Sequence, residues 1–164
     1  QTYAPYLQGR CVAVTSDRSQ LAGKRTSFPD PAAHTLLPEV LSKEPLSPAT
    51  VNADPAWADA VRWIIYGLMQ AEELGITQAN VDAKVAEAKA NTNLADLRRF
   101  LGVEGDFGKQ LGLPANFVVL ALKAVGNYGE IFERNVGAGS MLKLERGLNR
   151  QWNQGGLIYA PPFR

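Results

Sequence analysis

Residues 54–75, DPAWADAVRWIIYGLMQAEELG, predict a long amphipathic helix. Asp54 is a favoured N-cap residue, and Pro55 suits the first helical position, where its missing N–H group has no intrahelical partner. Gly75 suits a helix C-cap. Apolar side chains recur at spacings of three and four, at Trp57, Val61, Ile64, Ile65, Leu68 and Met69. We therefore expect a helix about 30 Å long whose apolar face, Leu68 included, forms the core of the chain.

Helical patterns continue after this segment. Further helices are predicted, with glycines and Pro114 between several of them, over residues 80–90, 93–101, 115–125 and 140–152. Asn127-Tyr128-Gly129-Glu130 interrupts the apolar spacing, so a kink or a tight junction between two helices is expected there. Residues 155–162 predict a turn, a short extended piece and a polyproline-like tail.

The first 51 residues have a different pattern. Residues 10–16 are short, rich in β-branched side chains and preceded by Gly9, which predicts a buried strand. Asp17 follows at a strand-to-helix junction, where its carboxylate could accept hydrogen bonds from the first helical turn. The prolines of residues 28–31 end that helix. Residues 35–41 and 46–51 are extended candidates that their prolines restrict to edges or a crossover. The predicted class is a helix-rich α/β fold.

The composition limits the possible partners. The chain is 46% hydrophobic and 20% charged, with a formal net charge of +1, which is typical of a globular domain. It has no run of Lys and Arg that could follow a phosphate backbone, so no nucleic-acid partner is expected. Residues 57–74 are too polar to span a membrane because Asp59, Arg62 and Glu72 interrupt them.

Motifs of catalysis and of metal or cofactor binding are missing from the sequence. There is no His-Glu-x-x-His or Gly-x-Ser-x-Gly, and Gly108-Lys109-Gln110 lacks the rest of a phosphate loop. Residues 136–140 lack the third glycine of a dinucleotide fingerprint, which favours a helix cap or a loop. One Cys and one His cannot make a usual zinc site. No catalytic residue, metal or cofactor is predicted.

Single polar residues have structural explanations. Cys11, as the only cysteine, cannot form an internal disulfide and is expected to be a small buried side chain. His34 lies beside a proline-rich turn without a nucleophile for a partner, which favours a surface or capping histidine. Glu72 and Glu73 are sequential neighbours after the apolar face, so both are expected to be solvated.

Several long phrases resemble the general L-amino-acid-binding proteins of bacterial ABC transporters. They keep their order over nearly the whole chain: GRC at 9–11, TSDRSQL at 15–21, LPE at 37–39, SKEPLSP at 42–48, VGNYGEIFERNVG at 125–137, GLN at 147–149 and GGLIYAPP at 155–162. Val12 departs from the family, which usually has aspartate after that cysteine. No ligand role is assigned to this position.

The resemblance implies the C-terminal half of a type II periplasmic-binding-protein fold, in which two α/β lobes enclose the ligand. Residues 1–26 would then be the end of the second lobe, which is incomplete here. Residues 27–51 would be the return crossover. Residues 52–164 would belong to the first lobe and to a helical C-terminal extension. The chain would thus start about midway through the family's plan, after a signal peptide and most of the cleft.

One ligand residue follows from the resemblance. Asp17 matches the aspartate that holds the ligand's α-ammonium group in the family, whereas the residues that hold the carboxylate lie in upstream segments. Asp17 could also be only an N-cap, and the two roles are compatible because each carboxylate oxygen has two lone pairs. Ser16 and Arg18 flank it without a role that we can assign.

The resemblance implies a periplasmic substrate-binding component that delivers L-amino acids to an ABC permease, meets the membrane only through that permease and performs no catalysis. Two alternatives remain open. The chain could be a helical interaction or oligomerisation module without ligand binding, since an incomplete fold exposes apolar surface and unpaired edges and is expected to form homodimers. It could also be an enzyme on the same fold, such as a dehydratase, which would need an acid or base beyond Asp17.

Overall fold

Helix α3, Pro55–Glu73, dominates the computed structural model, which describes residues 2–163. Its N-terminus is capped as predicted, because Asp54 Oδ1 accepts a hydrogen bond from Trp57 N at 2.9 Å. At its other end Gly75 has a φ of +65°. Gly75 N then donates to Glu72 O at 3.0 Å and Ile76 N donates to Ala71 O at 2.8 Å, which is a Schellman motif. The chain therefore turns sharply and buries Ile76 completely.

Seven other α-helices are formed by the described residues. They are α1 Tyr3–Leu7, α2 Arg18–Arg25, α4 Val81–Ala90, α5 Ala95–Phe100, α6 Phe107–Gln110, α7 Phe117–Val125 and α8 Tyr128–Asn135. Short 3-10 turns lie at Pro31–Ala33, Gly147–Asn149 and Trp152–Gln154. The predictions of α4, α5 and α7 are confirmed to within two residues at each end, and so is the helix that starts after Asp17. The four-residue α6 was not predicted.

The core lies where α7 and α8 pack on α3. A small residue lies at the contact between α3 and α7: a Cβ atom added to Gly67 would lie 3.0 Å from Val118 Cγ2. The fully buried residues of α3 are Ala60, Gly67 and Ala71. Ile64 and Leu68 of the predicted apolar face pack, partly buried, against the same core. Trp57 is 53% exposed and Leu68 is only half-buried, whereas Leu122 of α7 is completely buried.

A second part of this core is aromatic. The ring of Phe163 lies 5.2 Å from the ring of Trp63, 5.0 Å from that of Phe100 and 5.6 Å from that of Phe107, measured between centroids. The Phe163 side chain is 8% exposed although the residues before it form no helix or strand. An irregular segment thus supplies a central side chain of the helical core.

The junction between α7 and α8 is the tight one predicted at residues 127–130. Gly126 has a φ of +77°, and Asn127 and Glu130 form a capping box at the start of α8. The Asn127 side chain also donates to Ile76 O at 2.8 Å. Glu130 Oε2 accepts from both Asn127 N at 2.8 Å and Gln78 N at 3.0 Å. One pair of side chains therefore joins the α7–α8 turn to the turn that follows α3.

The strand predicted at residues 10–16 does not form, and the prediction that Cys11 is buried is wrong. Both follow from the lack of a pairing partner, because a strand needs neighbours for its backbone groups. Within residues 2–163 the only β-type pairing is an isolated bridge between Gln151 and Ile158. Cys11 is exposed and Val12 is 99% exposed. Residues 35–50 are likewise without helix or strand.

His34 is the C-cap residue of the 3-10 turn Pro31–Ala33, in agreement with the predicted capping histidine, and its ring lies in a small aromatic cluster. Its ring centroid lies 4.8 Å from that of Phe28 and 5.4 Å from that of Tyr6, and the Tyr6 hydroxyl is 2.7 Å from His34 Nδ1. Tyr3 packs edge-on against Phe28 at 6.2 Å. These contacts bring the two ends of residues 3–34 together around half-buried aromatic rings.

The helix predicted over residues 140–152 is wrong. Residues 145–162, called the strap below, form two 3-10 turns and a tight return instead. Leu157 N donates to Leu148 O at 2.8 Å and Ile158 N donates to Arg150 O at 3.1 Å. Arg146, Arg150 and the glycines of this segment thus lie in a loop that hydrogen-bonds to itself, for which apolar spacing gives no signal.

Candidate functional site

Asp17 is the residue that the sequence assigns to a ligand. It stands at the N-cap position of α2, with an extended backbone (φ −54°, ψ 139°), and Leu21 N donates to its carbonyl oxygen at 2.9 Å. Its side chain does not cap the helix, so that part of the prediction is wrong. No hydrogen bond or ion pair to its carboxylate occurs among residues 2–163. The carboxylate is exposed and unengaged at the positive end of a helix.

The neighbours of Asp17 leave it free. The Ser16 hydroxyl donates to the Gln20 side-chain oxygen, and Arg18 is exposed. A carboxylate in this position can accept a charge-assisted hydrogen bond from an ammonium group. Its exposure means that these neighbours alone do not enclose a ligand.

Two cavities lie on the helical part of the chain, and neither is lined by Asp17. One of about 160 Å³ is lined by Arg99, Glu104, Gly105, Asp106, Phe107, Gln110 and Phe163. The other, of about 280 Å³, is a groove between α3 and the strap, lined by Tyr66, Met69, Leu157, Ile158, Tyr159 and Pro161. Both are small for an enclosed ligand site.

Glu72 forms the most buried ion pair of the described chain, so the expectation that it is solvated is wrong. Arg146 of the strap donates to its two carboxylate oxygens at 2.9 and 3.1 Å, and the side chains are 15% and 17% exposed for Arg146 and Glu72. Glu73 is engaged too, since its Oε2 accepts from Trp152 Nε1 at 3.2 Å. Glu72 and Arg146 lie 74 residues apart, a separation at which a single sequence gives no sign of pairing.

The surroundings of this pair are aromatic and tight. The Arg146 guanidinium lies 5.4 Å from the ring centroid of Tyr128 and 5.0 Å from that of Phe132, in cation–π contact. Burial raises the pKa of the Tyr128 hydroxyl, with Arg146 acting in the opposite direction. Gly129 makes room: a Cβ atom there would lie 2.8 Å from Glu72 Oε1. The cluster therefore joins α3, α8 and the strap.

Over residues 2–163 no group of three or more His, Cys, Asp or Glu side chains is placed to hold a metal ion. None of the helices described there is long and apolar enough to cross a membrane.

Curated relatives match almost the whole chain. The general L-amino acid-binding periplasmic protein of Rhizobium johnstonii is 52% identical over 163 residues, which is 98% of this chain and 46% of that protein. The glutamate/glutamine/aspartate/asparagine-binding protein of Rhodobacter capsulatus is 50% identical over 159 residues, 97% of this chain and 46% of that protein. The chain is similar to about half the length of each of these two amino-acid-binding proteins.

A solved structure supports the same relationship. The ABC transporter periplasmic binding protein from Brucella ovis with glutathione bound is 51% identical and superposes with a TM-score of 0.86, over 98% of this chain and 49% of that one. A putative amino-acid ABC transporter-binding protein of Escherichia coli is 48% identical over 95% of the chain and 45% of its own length. No protein-family profile matches the chain. The resemblance to amino-acid-binding proteins and the helix-rich half of a periplasmic-binding-protein fold are thereby confirmed.

Proposed function

We propose that this chain is part of the substrate-binding component of an ABC transporter for L-amino acids. The observation that carries the proposal is identity of 50 to 52% with two amino-acid-binding proteins over 97 to 98% of the chain. The chain spans about half the length of those relatives. The proposal therefore concerns a protein in which this chain and a complementary half enclose the ligand together.

The proposed ligand class is defined by a shared head group. The relatives are named for glutamate, glutamine, aspartate, asparagine and L-amino acids in general, and the Brucella protein holds glutathione. All of these molecules carry an α-ammonium and an α-carboxylate, because the γ-glutamyl residue of glutathione keeps both free. In our proposal Asp17 accepts from the α-ammonium group, and the complementary half holds the carboxylate.

The arrangement of the proposed protein follows from the same likeness. Residues 1–26 would belong to the second lobe, 27–51 to the return crossover, and 52–164 to the first lobe and its extension. The aromatic contacts of His34 with Tyr6 and Phe28 favour a second-lobe unit that reaches to residue 34. The protein would act in the periplasm, bind without catalysis and deliver its ligand to an ABC permease.

Replacing Asp17 in a complete binding protein tests the proposed ligand contact. The suitable background is a chimaera in which this chain replaces the matching half of the Rhizobium johnstonii protein. Asp17→Ala is expected to raise the Kd for L-amino acids by roughly thirtyfold or more, because a buried ammonium group loses its charged partner on cleft closure. Asp17→Asn keeps a hydrogen-bond acceptor but loses the charge. Its Kd should fall between those of the parent chimaera and of Asp17→Ala. Calorimetry measures both.

Asp96→Ala is the matched control, since it removes another exposed carboxylate, 95% exposed, from the first turn of α5. It should leave the Kd unchanged. An Asp17→Ala chimaera that binds as tightly as its parent would remove Asp17 from the site. A chimaera that folds but binds no amino acid would contradict the proposed function itself.

Self-association is the second proposal, favoured by one observation. The segment 35–53 exposes large apolar side chains, with Leu37 at 67%, Leu41 at 82% and Leu46 at 78%. Sedimentation velocity of the isolated chain at micromolar concentration should therefore show a dimer or larger species, since exposed apolar segments with unpaired backbone associate. Replacing Leu41 and Leu46 together by Ser should shift the chain to monomer, whereas Met141→Ser, at an 84% exposed site elsewhere, should not. A parent chain that stays monomeric would refute this proposal.

A further inference from the structure

The strap, residues 145–162, is hydrogen-bonded to itself and not, through its backbone, to the helices. Trp152 N donates to Ile158 O at 2.9 Å and Gly156 N donates to Gln151 O at 3.0 Å, in addition to the Leu157 and Ile158 bonds described above. Within residues 2–163 no backbone-to-backbone hydrogen bond joins the strap to a helix. The strap can therefore leave the helical surface and lose its internal hydrogen bonds without breaking any backbone hydrogen bond of the helices.

All described hydrogen bonds from the strap to the helices come from three side chains and end on one short stretch of α3. Arg146 binds Glu72, as described above, and Trp152 binds Glu73. Gln151 Nε2 donates to Met69 O at 3.1 Å and to Glu72 Oε2 at 3.0 Å. Without the Arg146 guanidinium, only the hydrogen bonds of Gln151 and Trp152 would still join the strap to α3.

The contact between the strap and α3 leaves one buried polar atom without a hydrogen bond. Gln151 is 1% exposed, and its Oε1 atom has no hydrogen-bond partner among the described residues. The groove of about 280 Å³ lies between α3 and the distal part of the strap, so apolar contact there is partial. On the outer side Leu157 is 58% exposed and Tyr159 is 66% exposed. A segment with few buried apolar contacts and a polar attachment belongs to the least stable part of a fold.

We propose that the strap is a latched element that opens as a unit while the helical core stays folded, with the Glu72–Arg146 ion pair as its latch. Phe163, which follows the strap, remains in the aromatic core and limits how far the strap can move. Opening removes Gln151 from its buried position and uncovers Tyr66 and Met69 of α3. The device depends on local geometry and is independent of the proposed ligand.

Hydrogen exchange measured by mass spectrometry on the 164-residue chain tests the latch. Amides of residues 145–162 should exchange faster than those of α7, which packs in the core. Arg146→Gln removes the ion pair to Glu72 and also the Arg146 hydrogen bonds to Asn149 O within the strap, so it should increase exchange in the strap at least about tenfold further and leave the α7 amides unchanged. Gly129→Ala, whose Cβ atom would lie 2.8 Å from Glu72 Oε1 and 3.1 Å from an Arg146 nitrogen, should have the same effect without deleting a charge.

Arg98→Gln is the matched control. Arg98 is paired with Glu104 at 2.8 Å and is 16% exposed, nearly the same as Arg146, but it lies on α5. It should leave strap exchange unchanged. Equal protection of the strap and α7 in the unmodified chain, or equal acceleration of both in Arg146→Gln, would mean that the strap opens only with the whole fold and would overturn the proposal. Unchanged strap exchange in both latch variants would do the same.

Discussion

The isolated chain is expected to bind free L-amino acids no more tightly than millimolar, whereas the chimaera with a complementary half should bind them at micromolar concentration or below. Asp17 is exposed and has no described partner, so an ammonium group that meets it stays in water. An exposed ion pair is worth about 0–1 kcal/mol, while micromolar affinity requires about 8 kcal/mol. Calorimetry with a panel of L-amino acids measures the difference, which should exceed a thousandfold in Kd.

A contrary result has a clear meaning. Micromolar binding to the isolated chain that Asp17→Ala abolishes would show that these 164 residues hold a complete site. Micromolar binding that survives Asp17→Ala would place the site elsewhere on the chain. In either case the assignment of the missing contacts to a complementary half would be wrong.

Replacing Phe163 by alanine should lower the free energy of unfolding by about 3–5 kcal/mol, the usual cost of removing a buried phenylalanine. Its ring is 8% exposed and packs among Trp63, Phe100 and Phe107. Domains of this size are stable by only about 5–15 kcal/mol, so the variant should lose a large part of its stability. Urea denaturation followed by circular dichroism gives the value.

Tyr159→Ala is the matched control for this experiment. It removes another aromatic ring from the same irregular segment, but this ring is 66% exposed. A change within about 0.5 kcal/mol is expected, as for most surface substitutions. Equal effects at the two positions would mean that the aromatic core does not depend on the Phe163 ring.

Local signals predicted the helices well because their causes are local. Asp54 and Gly75 mark the ends of α3 through hydrogen bonds that span at most five residues, and Pro55 is its first residue. Asn127 and Glu130 mark the start of α8 in the same way. The buried face of α3 was predicted less well, because close helix packing selects Gly67 and Ala71, whose small side chains carry little weight in a hydrophobic pattern.

Features that depend on distant residues could not be predicted from one sequence. The partner of Glu72 is Arg146, 74 residues away, and spacing alone made Glu72 a surface residue. Residues 10–16 have the composition of a strand but no strand to pair with among residues 2–163, so composition alone gave the wrong state and also the wrong burial for Cys11. For Asp17 the sequence located the α2 junction, while its ligand role comes from resemblance and stays a prediction.

The hydrogen bonds of Glu130 restrict the relative motion of two turns. Its carboxylate holds Asn127 N and Gln78 N at 2.8 and 3.0 Å, so one side chain bears on two turns that are 49 positions apart in sequence, counted from 78 to 127. With the Asn127 bond to Ile76 O at 2.8 Å, three hydrogen bonds link the two turns. A change in the position of α8 relative to the start of α4 must therefore break or lengthen at least one of these three hydrogen bonds.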